Sequence, residues 1–589
     1  MRKRNRENRK SEKQRIQPGK REVPEKRKQQ EEKEVRVMQV FLGMTAFLFG
    51  GFYEFSAYLA GLGLLGILLW LGLRRGRLVF YRNFPLLVLA LLCLGYGGGM
   101  FWGIDRGMSF LGFLRGLVLL LFGITVMQFS AGQCEKMLKA VPVSGIGILV
   151  ISMGAYSTGF GKDLFFLSGR LGGSFQYSNT MALYFLLGIA VLYFQETDRL
   201  RYGLGLGFLY VGILLTGSRT VFFLTLIFLL AGSVKKHCRM LHGGLLLVSF
   251  AGAFAYVTFT GDFQNIGRFL TSSLNSSTLL GRLLYWQDGI KILMDYPMGC
   301  GWRGYSFLQG LYQTGVYEVR YIHNDYLQLM LDGGILPGLL FLILIVKEAF
   351  ARKKPPVFRV LVILMGLRGT VDFDLQFLAV FFLLLLAFNL QQGKRKELVF
   401  HKGAGFGGTL AAAGVWGYFS LVCLFFYFGG DTQALKMFPF YTDPAERILM
   451  YTDSIEEADV VSRQIRKNNS HLAAAWSTCA LLAIREGDCE EGAEKQKQAI
   501  ALKPYKMEEY RAYIQMLSQG YTKSAEQGDA GNMELCRKAM LEVRDMLKEL
   551  EDRTTPLAYR IQDKPQFTLP KELEEYLEQL EGRKESSPE

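Results

Sequence analysis

The sequence predicts an all-α, polytopic membrane protein with a soluble helical domain at its C-terminal end. Half of the 589 residues are apolar, and they are concentrated in about a dozen long blocks. Most blocks approach the length of about 20 apolar residues that a helix needs to cross a bilayer. Charged residues gather towards the two ends of the chain. This composition excludes a soluble enzyme, a collagen-like chain and a disulfide-rich secreted module.

The net charge of +15 is distributed unevenly along the chain. Residues 1–36 contribute about +8, residues 37–428 about +15 and residues 429–589 about −8. Because the basic residues lie in loops between apolar blocks, nucleic-acid binding is excluded. Residues 1–36 contain no apolar segment, so we expect a disordered basic cytoplasmic tail, not a cleavable signal peptide.

Residues 37–428 form the predicted membrane domain, with about thirteen spans and a range of eleven to fourteen. With the N-terminus in the cytoplasm, all six inner loops are basic, as the positive-inside tendency requires. An odd number of spans places residues 429–589 outside. The predicted spans begin near Val37, Ala57, Asn83, Met108, Val141, Ser174, Tyr202, Thr220, Met240, Leu327, Val357, Leu375 and Gly405.

The longest outer loop, residues 261–324, is predicted to carry the chemistry, because loops of this size are unusual unless they are functional. Within it, Leu279 to Leu293 has the period of an amphipathic helix and is expected to lie on the membrane surface. Pro297 should end that helix, and the segment GCGWRG should form a flexible turn.

Arginine is dense on the predicted outer face, where the positive-inside tendency disfavours it. Guanidinium groups keep their charge and bind phosphate through two parallel hydrogen bonds. The set therefore predicts a site for an anionic lipid headgroup, and a pyrophosphate would fit well. Some members could instead pair with outer carboxylates. The outer arginines are Arg170, Arg219, Arg268, Arg282, Arg303 and Arg320, with Arg115 and Arg368 at membrane depth towards the same side.

His323 is the one histidine of five that is predicted to lie at the outer membrane interface. An imidazole with an ordinary pKa near 6.5 can accept a proton from a hydroxyl group at neutral pH. A lone histidine is more often structural than catalytic, but its position beside an arginine-rich cavity favours a catalytic role. We therefore predict that His323 is a general base.

Several ordered segments resemble the O-antigen ligase and polysaccharide polymerase superfamily of membrane glycosyltransferases. RLGGSFQYSN contains Arg170 and Asn179, TGSRT contains Arg219, and GRLLYW contains Arg282 and Trp286. They are followed by YPMGCGWRGYSF, by HNDYLQLMLDGGILPG, and by the weaker match VDFDLQF. HNDYLQLMLDGGILPG carries His323 and Asn324. Because these segments occur in the right order across roughly 200 residues, the resemblance is fairly specific.

The resemblance implies a GT-C-like fold and an inverting, metal-independent transfer without a cofactor. The donor would be an undecaprenyl-pyrophosphate-linked glycan, and the acceptor a hydroxyl group of a glycan, lipid or protein on the outer face of the cell membrane. Arg219 and Arg282 would hold the pyrophosphate, and His323 would act as the base. We place Arg170, Arg115 and Arg303 in the pyrophosphate set, with Asn179, Trp286 and Asn324 in support. Asp372-Phe373-Asp374 has the spacing of a metal-binding pair, but no metal is predicted there.

The C-terminal region fits a tetratricopeptide-repeat register over residues 471–504, with Trp476, Ala480, Ala499 and Pro504 at the characteristic positions. One hairpin cannot bury its own apolar face, so two or three hairpins are expected to stack. Such a domain could dock a protein partner, although a generic α-hairpin domain without a ligand also fits. The final residues read as a disordered tail.

Three functions remain open from the sequence. The leading one is ligation of a glycan in cell-surface polysaccharide assembly. A polysaccharide polymerase shares the same arginine and histidine segments and is the nearest alternative. A small-anion transporter or a non-catalytic membrane scaffold would belong to other classes, but the sequence shows no matching halves of the kind expected in a transporter.

Overall fold

The computed structural model of the protein describes residues 25–260, 277–388 and 390–582. Arg268, most of the predicted tail and the last seven residues lie outside the described residues. The described chain is almost entirely helical, which confirms the predicted all-α membrane fold. Its strands form two short antiparallel pairs, β1 (Arg77–Arg82) with β4 (Lys394–Val399) and β2 (Phe166–Leu167) with β3 (Arg170–Leu171).

A helix lies at each of the thirteen predicted span positions, with additional helices in the loops. Among the described residues, six segments are long and apolar enough to cross a membrane: Glu54–Arg75, Phe84–Trp102, Arg106–Val126, Ala131–Thr158, Ser178–Gln195 and Lys402–Tyr427. The helices of this region are α1 (Glu25–Phe47), α2 (Glu54–Arg75), α3 (Phe84–Trp102), α4 (Arg106–Val126), α5 (Ala131–Met137), α6 (Ala140–Thr158), α7 (Lys162–Phe165), α8 (Ser178–Gln195), α9 (Arg199–Thr216), α10 (Arg219–Gly232), α11 (Lys236–Thr260), α12 (Ser277–Asp295), α13 (Gly304–Tyr312), α14 (Asp325–Gly333), α15 (Ile335–Ala349), α16 (Pro356–Arg368), α17 (Leu378–Ala387) and α18 (Lys402–Tyr427).

The tenth and twelfth predicted spans depart most clearly from a single helix of membrane-spanning length. The tenth is divided into α14 and α15 at Gly334, whose φ of +101° is accessible mainly to glycine. The twelfth begins at Leu378 and is only ten residues long. All ten residues of α17 are buried by surrounding protein, so its length need not match the thickness of the lipid.

The first helix begins before the predicted end of the basic tail. Residues 25–36 form the start of α1, where the sequence analysis expected disorder. Glu34 is 1% exposed and forms an ion pair with Arg75 of α2. This contact with a neighbouring helix stabilises a segment whose composition alone favours disorder.

Loops predicted to share the inner side of the membrane meet at one end of the helix bundle. Strands β1 and β4 lie in two of these basic loops and pair in register from Arg77 opposite Val399. At the same end, Gln39 Nε2 donates to the Lys136 carbonyl oxygen at 2.7 Å. These contacts fit the predicted grouping of loops, whereas the side that faces the cytoplasm stays a prediction.

The C-terminal region consists of helical hairpins, as expected. In the hairpin formed by Ala473–Glu486 and Cys489–Leu502, Ala480 and Ala499 are fully buried, as small residues at a repeat interface should be. Assignment to tetratricopeptide repeats stays a prediction. The helices are α19 (Asp431–Met437), α20 (Thr442–Tyr451), α21 (Ile455–Asn468), α22 (Ala473–Glu486), α23 (Cys489–Leu502), α24 (Met507–Gln527), α25 (Ala530–Leu541), α26 (Val543–Arg553) and α27 (Lys571–Gly582).

The C-terminal region is docked on the membrane domain. Tyr441 and Ala445 belong to the same apolar core as the membrane helices. Asp105, the residue that caps α4, is fully buried against α20 and α21. Its carboxylate accepts hydrogen bonds from Asn468 and Asn469, each at 2.9 Å. The two regions therefore form one continuous structure at one end of the membrane helices.

Candidate functional site

His323 lies at the point where the outer loop enters α14. Its φ is +52°, a left-handed conformation that is uncommon for a non-glycine residue. Asn324 caps α14 by accepting hydrogen bonds from two backbone N–H groups at 3.0 and 3.1 Å. Trp286 Nε1 donates to the Ile322 carbonyl oxygen at 3.0 Å. The backbone on both sides of His323 is therefore held in place by residues that the sequence analysis placed in supporting roles.

The side chain of His323 is oriented by Asp372. The His323 Nδ1 and Asp372 Oδ1 atoms are 3.1 Å apart, and the carboxylate is fully buried whereas the imidazole is 21% exposed. A carboxylate partner selects the tautomer that carries its proton on Nδ1, which leaves Nε2 free to accept a proton. The ring edge of His323 packs on Phe373 with centroids 4.9 Å apart.

Asp372 is the centre of a buried polar cluster. Tyr177 donates its hydroxyl proton to Oδ1 at 2.8 Å, and Asn179 Nδ2 donates to Oδ2 at 2.9 Å. Arg282 Nη2 donates to Oδ2 at 3.3 Å, and Arg368 Nη2 donates to the same oxygen. Burial raises the pKa of Asp372, but Arg368, the hydrogen bond from His323 and the charge of Arg282 together hold it well below its usual range. Asp372 is therefore ionised at neutral pH.

The neighbouring carboxylate, Asp374, binds the same guanidinium. Arg368 Nε lies 3.3 Å from Asp374 Oδ2, and Thr180 Oγ1 donates to Asp374 Oδ1 at 2.6 Å. Burial raises the pKa of Asp374 to about 6 although Arg368 lowers it. The Asp-x-Asp spacing seen in the sequence thus brings two carboxylates to Arg368.

Three of the predicted phosphate-binding arginines line one cavity of about 440 Å³, which we call the arginine cavity. They are Arg170, Arg219 and Arg282, and Asn179 lies beside them. None of the described residues that line it is acidic. The first turn of α10 also contributes to the lining, and helix N-termini carry free N–H groups that favour anions.

The arginine cavity and His323 are connected through shared hydrogen bonds. Arg170 Nη2 donates to Asn179 Oδ1 at 3.2 Å, and Asn179 in turn donates to Asp372. Arg282 both lines the cavity and reaches Asp372. His323, which Asp372 orients, therefore lies next to a strongly cationic cavity.

The structure does not bring Arg115 and Arg303 into this cavity. Arg115 donates to the carbonyl oxygens of Gly51 and Phe52, each at 3.0 Å, and to that of Gln376. Arg303 Nη1 donates to Asp443 Oδ2 of α20 at 2.9 Å. In the described chain, Arg115 joins membrane helices, and Arg303 joins the outer loop to the C-terminal region.

The sequence analysis missed Asp372 and Tyr177 as partners of the site, and it grouped Arg368 with the outer arginines without pairing it with a carboxylate. It considered Asp372 only as half of a metal-binding pair. Arg368 precedes Asp372 by four residues, and a buried arginine at that spacing from an acid was a usable signal for an ion pair. No signal in the chain near His323 indicated its carboxylate partner, which lies 49 residues away.

Residues 204–343 match the family model described as O-Antigen ligase. The matched segment includes Arg219, Arg282, Arg303 and His323. No curated protein and no solved structure gives a significant match to the chain. The family match supports glycan ligation or polymerisation in general. The chain therefore contains a segment, residues 204–343, that is similar to the O-antigen ligase family.

Proposed function

We propose that the protein transfers a glycan from a polyprenyl-pyrophosphate donor to an acceptor hydroxyl group at the outer face of the cell membrane. The observation that carries this proposal is that Asp372 accepts hydrogen bonds from both His323 and Arg282. The catalytic base and the binding site for an anionic leaving group are therefore adjacent and share a carboxylate.

The arginine cavity suits the donor lipid. Three guanidinium groups with no described acidic neighbour in the lining favour a ligand with two or more negative charges. Phe223, Leu224 and Ile227 of α10 line the same cavity, and Ile227 is 63% exposed. A ligand with a pyrophosphate at one end and a hydrocarbon chain at the other would satisfy both parts of this lining.

The proposed reaction is a single displacement at the anomeric carbon. The acceptor oxygen forms a bond to that carbon while the bond to the pyrophosphate oxygen breaks, and its electron pair leaves with the phosphate. His323 Nε2 takes the acceptor proton, and Asp372 stabilises the resulting imidazolium. A positioned base supplies a factor of roughly 10²–10⁴, equivalent to about 3–5 kcal/mol.

The arginines stabilise the charge that develops on the leaving pyrophosphate. Preorganised cations in a poorly hydrated site act without the cost of reorganising water. Under this proposal the guanidinium groups supply the positive charge and no metal ion is required. One displacement from the face opposite the leaving group inverts the anomeric configuration.

Ligation is our first proposal and polymerisation the second, since both need the same base and anion site. The test uses the purified protein in detergent with a polyprenyl-pyrophosphate-linked oligosaccharide and candidate acceptors. We expect transfer of the glycan and release of free lipid pyrophosphate. Addition of one glycan would support ligation, and a ladder of products would support polymerisation. Passage of an intact anion across a vesicle membrane without transfer would contradict both.

A further inference from the structure

A second cavity system, which shares no lining residue with the arginine cavity, borders the C-terminal region. Two adjoining cavities, of about 260 and 240 Å³, lie between the outer loop and the C-terminal helices. They share lining residues from both regions, including Gln309, Glu318 and Lys503, so they form one continuous depression. We call this depression the seam groove.

The seam groove differs from the arginine cavity in its charge. Among the described residues, four basic and four acidic side chains line it, so the lining carries no net charge. Lys503 Nζ lies 3.7 Å from Glu318 Oε1 and 3.7 Å from Glu446 Oε1. Both are ion pairs longer than a direct hydrogen bond, so the hydrogen-bonding capacity of these groups is not used up between them. A multiply charged anion gains little here, whereas a ligand with many hydroxyl groups can bind several of these donors and acceptors.

Aromatic rings complete the lining. Tyr505 of the segment before α24 lines the groove as a half-buried ring, and its hydroxyl group is hydrogen-bonded to Thr554 at 2.8 Å. Its ring is therefore fixed and can pack on the apolar C–H face of a sugar. Tyr317 lines the same end of the groove.

The Tyr317 end of the groove leads towards His323. The ring of Tyr317 packs on that of Tyr285 with centroids 4.6 Å apart, and Tyr285 lies 6.2 Å from the His323 ring. His323 is therefore in contact with the Asp372 cluster and also lies beside Tyr285, which leads to the groove. A chain of sugars in the groove could place its terminal hydroxyl group near the base.

We propose that the seam groove binds the acceptor as an oligosaccharide, with sugar units held jointly by the outer loop and the C-terminal helices. This inference rests on the proposed transfer reaction and specifies its acceptor as a glycan. It also gives the C-terminal region a direct role in substrate binding.

The test measures binding without turnover. The probe is a fluorescently labelled oligosaccharide fraction prepared by partial hydrolysis of the surface polysaccharide of the cells from which the protein comes. Its anisotropy is measured with the full chain in detergent, carrying His323→Ala to prevent transfer. We expect Tyr505→Ala to weaken binding roughly tenfold or more, as expected for the loss of one or two good contacts. Tyr451→Ala, a matched change at an exposed tyrosine of α20 outside the groove, should have no effect.

A second variant covers the possibility that Tyr505→Ala fails to fold. The Glu318 side chain is 71% exposed, so Glu318→Trp should fold normally and obstruct the groove. Glu526→Trp, at an exposed position of α24, is its control. In transfer assays with His323 restored, the groove variants should raise the KM for the acceptor and leave kcat and the KM for the donor unchanged.

The outcomes separate the two proposals. Unchanged binding in both groove variants, or no binding of the probe by the full chain, overturns the acceptor groove even if transfer proceeds. Transfer that persists in His323→Ala overturns the proposed reaction, while the binding measurement still decides whether the groove holds a glycan.

Discussion

The imidazole of His323 and the carboxylate of Asp372 are 3.1 Å apart and come from segments 49 residues apart in the chain. His323 immediately precedes Asn324, the residue that caps α14, whereas Asp372 lies in the turn between α16 and α17. Their contact fixes the orientation of the only histidine at this end of the described membrane helices. It also links that histidine to the arginines that line the neighbouring cavity.

Asp372→Asn should abolish most of the transfer activity while preserving the volume of the site. The amide cannot stabilise an imidazolium and can favour the wrong tautomer, so we expect a loss of roughly 10³–10⁴-fold in kcat. Asp374→Asn is the matched control, because Asp374 binds Arg368 and Thr180 but makes no described contact with His323. Similar kcat losses in both variants would show that the cluster only supports the folded structure and that Asp372 has no separate role in orienting His323.

Arg219→Ala should weaken binding of the donor. Losing a charged hydrogen-bond donor costs about 1.5–3 kcal/mol, which corresponds to a rise of roughly 10–100-fold in the donor KM. Arg201→Ala removes an exposed arginine in the first turn of α9, whereas Arg219 follows the last turn of that helix. This substitution should leave the donor KM unchanged. A donor KM that is equally insensitive to both substitutions would remove Arg219 from the phosphate site.

Asp443→Asn should loosen the C-terminal region from the membrane domain. Asp443 is 9% exposed and pairs with Arg303 at 2.9 Å, so the substitution leaves a buried guanidinium without its charged partner. Breaking such a pair costs about 3–5 kcal/mol. We expect faster proteolysis between α18 and α20 in detergent. Asp453→Asn, in the turn after α20, is the control and should resemble the unsubstituted protein.

The pH dependence of docking should follow from the same pair. Burial raises the pKa of Asp443, but the charges of Arg303 and Arg320 lower it by more than burial raises it. The pKa of Asp443 therefore lies below its ordinary value. Because the folded pKa is lowered, the stabilisation is complete above the ordinary carboxyl pKa of about 3.9 and is lost as the pH falls below it. The contribution of the Asp443–Arg303 pair to protease resistance between α18 and α20 should therefore be constant from pH 7 to about pH 5. A decline in that interval that Asp443→Asn eliminates would contradict this assignment.

The orientation of the chain predicts opposite labelling of two exposed positions. Tyr451→Cys lies in α20 and should react with a membrane-impermeant maleimide in intact spheroplasts. Arg395→Cys lies in β4 and should react only after permeabilisation. The native cysteines are all buried, which keeps the background low. The reverse pattern would place the arginine cavity on the cytoplasmic side.

The positions of the membrane helices could be predicted because the bilayer imposes a length and a composition on each apolar block. Helix α17 departs from this rule because protein, not lipid, surrounds its ten residues. His323 is singled out by its position at the end of the long loop, and its catalytic role stays a prediction. Its partner Asp372 is not singled out in the sequence, since their contact depends on how α14 and α16 pack.

The arginines show the same limit of prediction from sequence. Charge pattern placed Arg170, Arg219 and Arg282 on one face, and the structure brings them to one cavity. The same pattern included Arg115 and Arg303, whose partners are backbone carbonyl groups and a carboxylate 140 residues away. Residue type and side of the membrane do not distinguish a guanidinium bound within the protein from one that lines a cavity.

The most direct measurement is glycan transfer by purified His323→Ala with a polyprenyl-pyrophosphate-linked donor. We expect the rate to fall by roughly 10²–10⁴-fold, the contribution of a positioned general base, while the protein remains folded and binds the donor normally. His401→Ala, an exposed histidine at the other end of the bundle, should transfer at the unsubstituted rate. Transfer by His323→Ala at the rate of His401→Ala would contradict the assignment of His323 as the base.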